Sequence, residues 1–225
     1  MTGDRMPVRI LTLQAIANVD DGLCRSLGLD ARHRSIGLLS TDCDDATYIA
    51  LDEATKAAAV DVVYARSLYA GAANASTRLA GEVIGILGGA SPAEVHSGLA
   101  AAARFLREGV AFRSANEDDS VVYLAHCVSS TGSYLSELAH IRQGQALSYL
   151  IAPPVEAVVA LDAALKAADV RMAEFFAPPT ETNFAGALLT GSQSACFAAC
   201  EAFSKAVCAV ARAPHATGGT DFGVG

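Results

Sequence analysis

The sequence predicts an α/β protein made of two tandem copies of one small domain, because the chain repeats itself and each repeat alternates strand-like with helix-like segments. Residues 50–60 read "ALDEATKAAAV" and residues 160–170 read "ALDAALKAADV", and eight of these eleven positions are identical. The preceding segments also correspond, "IGLLS" at 36–40 with "LSYLIAPP" at 147–154. A period of about 110 residues is longer than any solenoid unit, so a whole domain is duplicated.

The elements of the first half follow from local patterns. Period-two alternation and β-branched or aromatic residues indicate strands, and apolar residues three or four apart indicate helices. The segment at 8–17 alternates like a half-buried strand. In chain order we predict a strand at 8–17, a helix near 20–28, a strand at 35–40, a helix at about 45–58, strands at 60–69 and 81–89, and a helix after 91.

The last helix of the first half has the clearest ends. Ser91, Pro92 and Glu94 have the types and spacing of a capping box with proline in the first turn, and Gly109 follows the last turn. The second half repeats the order, with its last helix at about 193–212. We align "GGAS" with "GSQS" at 191–194, which gives an offset of 103 residues for these later elements.

These patterns define the domain organisation. We predict a first domain at 1–112, a second domain at 113–213 and a flexible C-terminal tail at 214–225. Two segments at corresponding places, 67–81 and 176–186, are longer than ordinary hairpin connections, and such loops are commonly functional or disordered.

Composition excludes two classes of partner. A net charge of -8 and a pI near 5.0 argue against binding to nucleic acid. The chain is 52% hydrophobic with a mean hydropathy of +0.33, yet no window approaches 18 consecutive apolar residues, so no membrane span is predicted. The N-terminus lacks a signal-peptide core, so a cytoplasmic location is expected. The excess of small apolar residues suggests surfaces that other subunits cover.

The cysteines and histidines offer only weak metal-site signals. The six cysteines contain no CxxC pair, and disulfides are not expected in a reducing cytoplasm. Cys196, Cys200 and Cys208 share one helix face, either as a metal or redox site or, as we favour, as small buried apolar residues. His126 and His140 are interpreted as packing or surface residues in preference to zinc ligands. We predict no metal and no cofactor.

Asp42, Asp44 and Asp45 form the most informative local feature, at the turn between a strand and a helix. They could serve as an aspartyl nucleophile, cap the helix, or bind a ligand. A phosphatase would need a nearby lysine, and Lys56 lies about three turns away along the helix. The corresponding positions 152–155 of the second half read "APPV", so the fold does not require the acids. This difference favours a ligand site peculiar to the first half.

Glu82, at the start of a strand, and the residues around Phe112, where the second half begins, are candidates to complete that site. Carboxylates suit a protonated amino alcohol, because they accept hydrogen bonds from its ammonium group.

Many ordered segments between about residues 8 and 212 resemble tandem-domain shell proteins of bacterial microcompartments, of the ethanolamine-utilisation type. The resemblance rests on "DDATYIALDEATKAA", "VVYARSLYAGAAN", "AGEV", "GGASPAEV", "HCVSSTGSYLS", "APPVEA", "DAALKAADV" and "ETNFAGALLTGSQSAC". It implies two ferredoxin-like, circularly permuted microcompartment domains. Three chains would form a pseudo-hexameric disc that tiles with other shell proteins around the enzymes that split ethanolamine.

The resemblance also implies sites for small polar metabolites. Members of this family have a gated central pore and three smaller pores within the subunits, with which ethanolamine is associated. Asp44 and Glu82 would lie at the subunit pore with Phe112 nearby, and we include Asp45 in the same ligand site. The candidate central-pore and gate-loop residues are Tyr69, Ala70, Gly71, Asn74, Thr182 and Asn183.

Several alternatives remain open. Tyr69 could simply end its strand, and Thr182 and Asn183 could only form a turn. Cys43, inside the acidic turn, and Arg78, in the gate loop, could alter the preference of the pores. A different class of protein, a cytoplasmic trimeric sensor of an amine or nucleotide, would need a phosphate-gripping motif. "GILGGAS" is the only candidate and lacks the P-loop lysine. We therefore expect a non-catalytic shell protein.

Overall fold

The computed structural model describes residues 2–67, 83–178, 184–217 and 220–221. The first half contains β1 (Arg5–Met6), β2 (Ile10–Ile16), α1 (Asp21–Ser26), β3 (Ser35–Thr41), α2 (Asp44–Ala57), β4 (Val60–Ser67), β5 (Val83–Gly89) and α3 (Pro92–Glu108). The second half contains β6 (Phe112–Ser114), β7 (Val122–Val128), α4 (Ser133–Leu138), β8 (Ala146–Ala152), α5 (Pro154–Ala167), β9 (Val170–Phe176), β10 (Ala185–Gly191) and α6 (Gln193–Arg212), followed by β11 (Ala216–Thr217) and β12 (Thr220–Asp221).

The sheet topology confirms the duplication. In the first half four antiparallel strands have the order β2-β3-β5-β4, and in the second half β7-β8-β10-β9 repeat that order. The copies share even an irregularity, because β4 skips Val63 in its pairing with β5 and β9 skips Ala173 in its pairing with β10. Strands β6 and β1 extend the second sheet, so the chain's N-terminal strand joins the sheet of the second half.

The helix ends show how local sequence defines the elements. Ser91 Oγ accepts from the Glu94 N–H at 3.3 Å and Glu94 Oε2 accepts from the Ser91 N–H at 3.1 Å, which confirms the capping box. The predicted offset of 103 residues was wrong. Ser192 is the N-cap of α6 because its Oγ accepts from the Ala195 N–H, so Ser91 corresponds to Ser192 and not to Ser194.

Strand β2 differs from the expectation of a half-buried strand. It is an edge strand, and every residue from Leu11 to Ile16 is exposed in the single chain. Nothing within the described part of one chain covers this apolar edge. The predicted domain boundary at residue 112 stays a prediction, and β6 spans it.

The largest hydrophobic core joins the two halves. It combines α2 and α3 residues such as Ile49 and Leu99 with Leu124, Leu135 and Tyr149 from the second half. A second core lies between α5, α6 and the second sheet. The two halves therefore share buried surface and do not pack as independent globules.

Helix α6 is, by length and composition, the one described helix that could cross a membrane. Uninterrupted apolar runs do not reveal it, because Glu201 and Lys205 fall within it. Its buried face, which consists of Cys196, Ala199, Cys200, Phe203, Val207 and Cys208, lies largely in the second core, and this packing accounts for the apolar stripe.

Candidate functional site

The acidic turn begins helix α2, but none of its aspartates is the N-cap. The N-cap is Cys43, whose side chain makes no capping hydrogen bond. Thr41 Oγ1 accepts from the Cys43 N–H at 3.0 Å, and Thr47 Oγ1 donates to the Cys43 carbonyl at 2.7 Å. A threonine hydroxyl before the turn therefore organises the N-cap residue. Asp44 Oδ1 also accepts from the Asp45 N–H at 2.8 Å, so one aspartate does bond a free N–H of the first turn, as expected of acids at a helix N-terminus.

Cys43 itself is a core residue. Its side chain is fully buried, and burial, followed by the charges of Asp44 and Asp45, raises the pKa of its thiol well above the ordinary value. The thiol is therefore neutral and contributes to packing. This explains the cysteine within the acidic turn.

The three aspartates point to different partners. Asp42 Oδ1 accepts from the Arg9 N–H at 2.7 Å, and Asp42 Oδ2 accepts from Arg9 Nε at 3.0 Å. Asp42 thus ties the turn to the start of strand β2. Asp44 and Asp45 remain as the pair that faces the second half of the chain.

Asp44 and Asp45 are anchored by hydroxyl groups from both halves. Ser67 Oγ donates to Asp44 Oδ2 at 2.5 Å and lies 2.7 Å from the Tyr48 hydroxyl. Tyr149, on β8 of the second half, donates from its hydroxyl to Asp45 Oδ1 at 2.9 Å. The two carboxyl groups therefore lie at the junction of the halves.

The electrostatics of this pair are those of a buried diacid. Burial raises the pKa of Asp45 well above its ordinary value, the Asp44 charge adds to the increase, and the hydrogen bond from Tyr149 opposes it. Burial and the two carboxyl groups also raise the pKa of the Tyr149 hydroxyl, so Tyr149 stays a donor. Such a site favours a positive charge, which would let both carboxylates ionise.

Phe112 is fully buried, and its ring packs against Phe184 with centroids 5.5 Å apart. It belongs to the core that the two halves share. The remaining predicted site residues lie outside the described residues, so their roles stay predictions. They are Glu82, Tyr69, Ala70, Gly71, Asn74, Thr182 and Asn183, and Arg78 lies in the same undescribed segment.

The histidines and cysteines described next lie in packing or surface environments. His126 packs edge-on against Phe105, and its pKa is lowered to about 4, chiefly by burial and then by Lys56 and Arg5. His140 is exposed after α4. Burial raises the pKa of Cys200 to about 12. In the part of the chain that the structure describes, no group of three or more potential ligands is arranged for a metal ion, and the six cysteines are free.

Two residues of the junction between the halves were missed by sequence reasoning. Tyr149 contacts Asp45 across 104 positions of sequence, and a single tyrosine in "ALSYLIA" gives only a weak signal. Asp52 is fully buried and bonds α4 of the other half, yet it lies in the repeated "ALDEA" segment and therefore resembled scaffold. The role of Asp52 is found by comparing the structural environments of the two copies, because both copies have aspartate at this position.

Comparisons with known proteins agree with this architecture. The model of the BMC domain family matches residues 35–115. The chain is 66% identical over 214 residues to the bacterial microcompartment shell protein EutL of Clostridium perfringens, covering 95% of this chain and 99% of that protein. It is 52% identical over 205 residues to EutL of Salmonella typhimurium, covering 91% and 94% respectively.

A solved structure shows the same fold along the same length. The crystal structure of the ethanolamine utilization protein EutL from Leptotrichia buccalis superposes with a TM-score of 0.92 at 61% identity, covering 96% of this chain and all of that one. The resemblance found in the sequence is thus confirmed, and the sensor alternative is not favoured. With this identity over nearly its whole length and the same duplicated fold, the chain belongs to the EutL family of bacterial microcompartment shell proteins.

Proposed function

We propose that the chain forms a homotrimeric tile of the microcompartment shell. We also propose that small protonated amines such as ethanolamine bind to Asp44 and Asp45, where the two halves of the chain meet. The observation that carries the trimer is a mismatch between the two copies of one helix. Helix α5 exposes the face that its duplicate, α2, buries against the other half of the chain.

The mismatch is large at corresponding positions. Ile49 is fully buried on α2, whereas Val159, its duplicate on α5, is 46% exposed. The Tyr48 ring packs at a tilt against Tyr134 of the second half, and its duplicate Val158 is 51% exposed. An apolar helix face left in water indicates a missing partner surface.

The complementary surface is exposed at the other end of the chain. Val128 on β7 and Leu135 on α4 are buried at the junction between the halves. Their duplicates, Ile16 on β2 and Leu23 on α1, are 38% and 40% exposed. The junction between the halves has two sides, and each chain exposes a second copy of both. One copy lies on α5 and the other on β2 and α1, so the α5 face of one chain can pack against the β2–α1 face of the next, as in a head-to-tail interface. A flat ring of six domain copies would contain three chains.

The proposal for the amine rests on the chemistry of the junction. Two buried carboxyl groups present acceptors for an ammonium group, and the hydroxyls of Ser67 and Tyr149 hold them in place. Relatives of this chain are described as ethanolamine utilization proteins. The four heavy atoms of ethanolamine limit the affinity, since each contributes at most about -1.5 kcal/mol, so a dissociation constant below about 40 μM is not expected.

Glu82 and the gate residues extend this proposal to the predicted pores. In this scheme Glu82 and Phe112 complete the subunit pore, while Tyr69, Ala70, Gly71, Asn74, Thr182 and Asn183 line the gated central pore. The tile would meet other shell proteins at its edges and would perform no catalysis.

Sedimentation velocity tests the trimer. We expect the wild-type chain to sediment as a trimer and Val158→Asp to sediment as a monomer, because a carboxylate would be buried at the junction. Ala167→Asp is the matched control, since it places the same charge on the same helix at a position whose duplicate, Ala57, stays exposed. A trimer that persists in Val158→Asp would contradict the proposed interface.

Calorimetric titration with ethanolamine tests the site. Asp45→Asn should lose most of the binding heat, because one of the two carboxylates that compensate the ammonium charge is gone. Glu201→Gln, which removes an exposed acid on α6, should bind as the wild type does. Equal heats in Asp45→Asn and the wild type would remove the amine site and leave membership of the shell family intact.

A further inference from the structure

The junction within the chain is organised by one buried carboxylate. Asp52 on α2 is fully buried; its Oδ2 accepts from the Gly132 N–H at 2.7 Å and its Oδ1 accepts from the Leu135 N–H at 2.9 Å. These donors belong to the start of α4, whose N-cap residue Gly132 has no side chain to bond them. Asp52 therefore caps a helix of the other half.

Two further hydrogen bonds complete this junction. The Ser133 N–H donates to Thr55 Oγ1 at 3.1 Å, and Lys56 Nζ reaches across to the Ser130 carbonyl at 2.9 Å. The approach is so close that a Cβ on Gly132 would lie 2.2 Å from Thr55 Oγ1 and 2.6 Å from the Asp52 carbonyl oxygen. The junction as built accepts only glycine at this position.

The proposed junction between chains would pair the duplicates of these elements, α1 with α5. Helices α1 and α4 correspond closely, since both have six residues and a left-handed residue follows each, Gly28 after α1 and His140 after α4. Asp162 on α5 stands where Asp52 stands on α2, and Lys166 stands where Lys56 stands.

The residues that make the closest contacts of the junction within the chain are replaced by different residue types at the corresponding positions of α1 and α5. Asp20 takes the place of Gly132, and Leu165 takes the place of Thr55. The tilted aromatic pair Tyr48–Tyr134 is replaced by Val158 and Gly22. A junction between chains therefore cannot copy the one within the chain, because a carboxylate stands where not even a methyl group fits.

Helix α1 also needs no cap from a neighbour. Asp20 Oδ1 already accepts from the Gly22 and Leu23 N–H groups at 2.8 and 3.3 Å. Asp162 in the Asp52 position would thus meet the carboxyl groups of Asp20 and Asp21, and the Leu23 N–H, the duplicate of the Leu135 donor, is already bonded to Asp20. Carboxylates brought together in this way repel each other unless a cation lies between them.

A lysine is placed to supply that cation. Lys166 Nζ lies 2.6 Å from Asp162 Oδ2 on the exposed face of α5. Its duplicate Lys56 bonds both its own helix and the opposite half, which shows that a lysine at this position can span the junction. Arg25, on α1, lies beside the same turn as Asp20, since the side chains of both approach Gly22.

On the basis of the proposed trimer, we propose that Lys166 is the ion-pair partner that joins neighbouring chains, binding Asp162 of its own helix and Asp20 of the next chain. The ring then contains two unlike junctions. The one within the chain contains a buried helix cap, and the one between chains adds to its apolar contacts an ion pair that salt can screen.

A double-mutant cycle on the trimer's dissociation constant tests this inference. Lys166→Met should weaken the trimer about tenfold in about 0.05 M NaCl and clearly less in about 0.5 M NaCl. Asp20→Asn keeps a capping side chain on α1. In the Lys166→Met background it should recover most of the lost affinity, because the unopposed carboxylate is removed. Lys205→Met, an exposed lysine on α6, is the control and should leave the trimer unchanged.

The outcomes separate this inference from the proposed function. If the wild type is a trimer that Val158→Asp disrupts, but Lys166→Met and Asp20→Asn act additively, the ion pair is wrong and the trimer stands. If the wild type does not form a trimer, both fail. Circular dichroism of each variant distinguishes weaker association from loss of folding.

Discussion

At the scale of single residues, the buried carboxyl group of Asp45 lowers the stability of the fold at neutral pH, which is the cost that the proposed amine site would carry. Because burial raises the pKa of Asp45, the folded chain retains a proton that the unfolded chain has lost. Stability attributable to this group is therefore greatest at low pH and declines as pH rises from about 4 through the raised folded pKa. Binding sites commonly show this conflict between stability and function.

Asp45→Asn should therefore stabilise the unliganded protein while it removes amine binding. Asn keeps the oxygen that accepts from Tyr149 and carries no charge to desolvate. We expect a gain of about 0.5–2 kcal/mol at about pH 8 and a flatter pH dependence, measured by denaturant unfolding. Glu201→Gln should show neither effect. A less stable Asp45→Asn at this pH would show that the carboxylate contributes to the fold.

His126 should produce the opposite pH dependence. Its folded pKa of about 4 lies below the ordinary value of 6.5, so the unfolded chain binds the proton more readily. Its contribution is fully present above pH 6.5 and is lost as pH falls towards 4. His126→Gln should reduce acid destabilisation by roughly 1–3 kcal/mol at about pH 4.

The control for His126 is His96→Gln, which changes an exposed histidine on α3. Between about pH 7 and about pH 4, the unfolding midpoint of His96→Gln should fall as much as that of the wild type. The midpoint of His126→Gln should fall less. If His126→Gln and the wild type lose stability in parallel, protonation of this ring does not drive acid unfolding.

Residue-scale reasoning from sequence is most informative where one copy can be compared with the other, although the ligand site it indicates stays a prediction. The acids Asp44 and Asp45 have no counterpart at "APPV", and the structure brings this pair to the junction of the halves. It failed for Asp42, whose bond to Arg9 depends on strand pairing, and for Tyr149, whose partner is distant in sequence. Contacts between elements leave no trace in local periodicity.

At the scale of elements, the sequence patterns identified the main strands and helices because the physical causes are local. Caps, glycine stops and hydrophobic period act over a few residues, as the bonds between Ser91 and Glu94 show. The short strands β1 and β6 were not predicted, because two or three residues carry no period and their pairing joins distant parts of the chain. The exposure of β2 likewise depends on what a single chain leaves uncovered.

The contact between α4 and α2 is the element-scale feature most sensitive to a small change. Gly132→Ala should destabilise the chain by about 2–4 kcal/mol, because a methyl group would meet both Thr55 and the Asp52 backbone and would break the cap. Thermal unfolding measures the loss. Ser133→Ala is the control, since the bond to Thr55 uses only the Ser133 backbone. A change below about 0.5 kcal/mol in Gly132→Ala would mean that the contact is looser than the structure shows.

At the scale of the whole molecule, duplication supplies the architecture, and the differences between the copies support the proposed function. The same strand order and the same bulge occur twice, yet one copy of each interface is satisfied within the chain and the other is exposed. A protein with two identical halves would have six equal junctions in a ring. This chain would have three that contain the acidic site and three that do not.

The shared core makes the two halves one cooperative unit, and this can be tested by cutting the connection between them. The segment between β6 and β7 is exposed at Glu117 and Asp118, so a site-specific protease sequence inserted there should be cleaved without disturbing the core. We expect the two fragments to co-elute in size-exclusion chromatography and to unfold in a single transition. The reason is that the largest core, the Asp52 cap and the bond from Tyr149 to Asp45 all cross between them. Cleaved Gly132→Ala, which weakens only this junction, should release free fragments at a lower denaturant concentration than cleaved Ser133→Ala. Fragments that separate without denaturant would show that each half is stable alone.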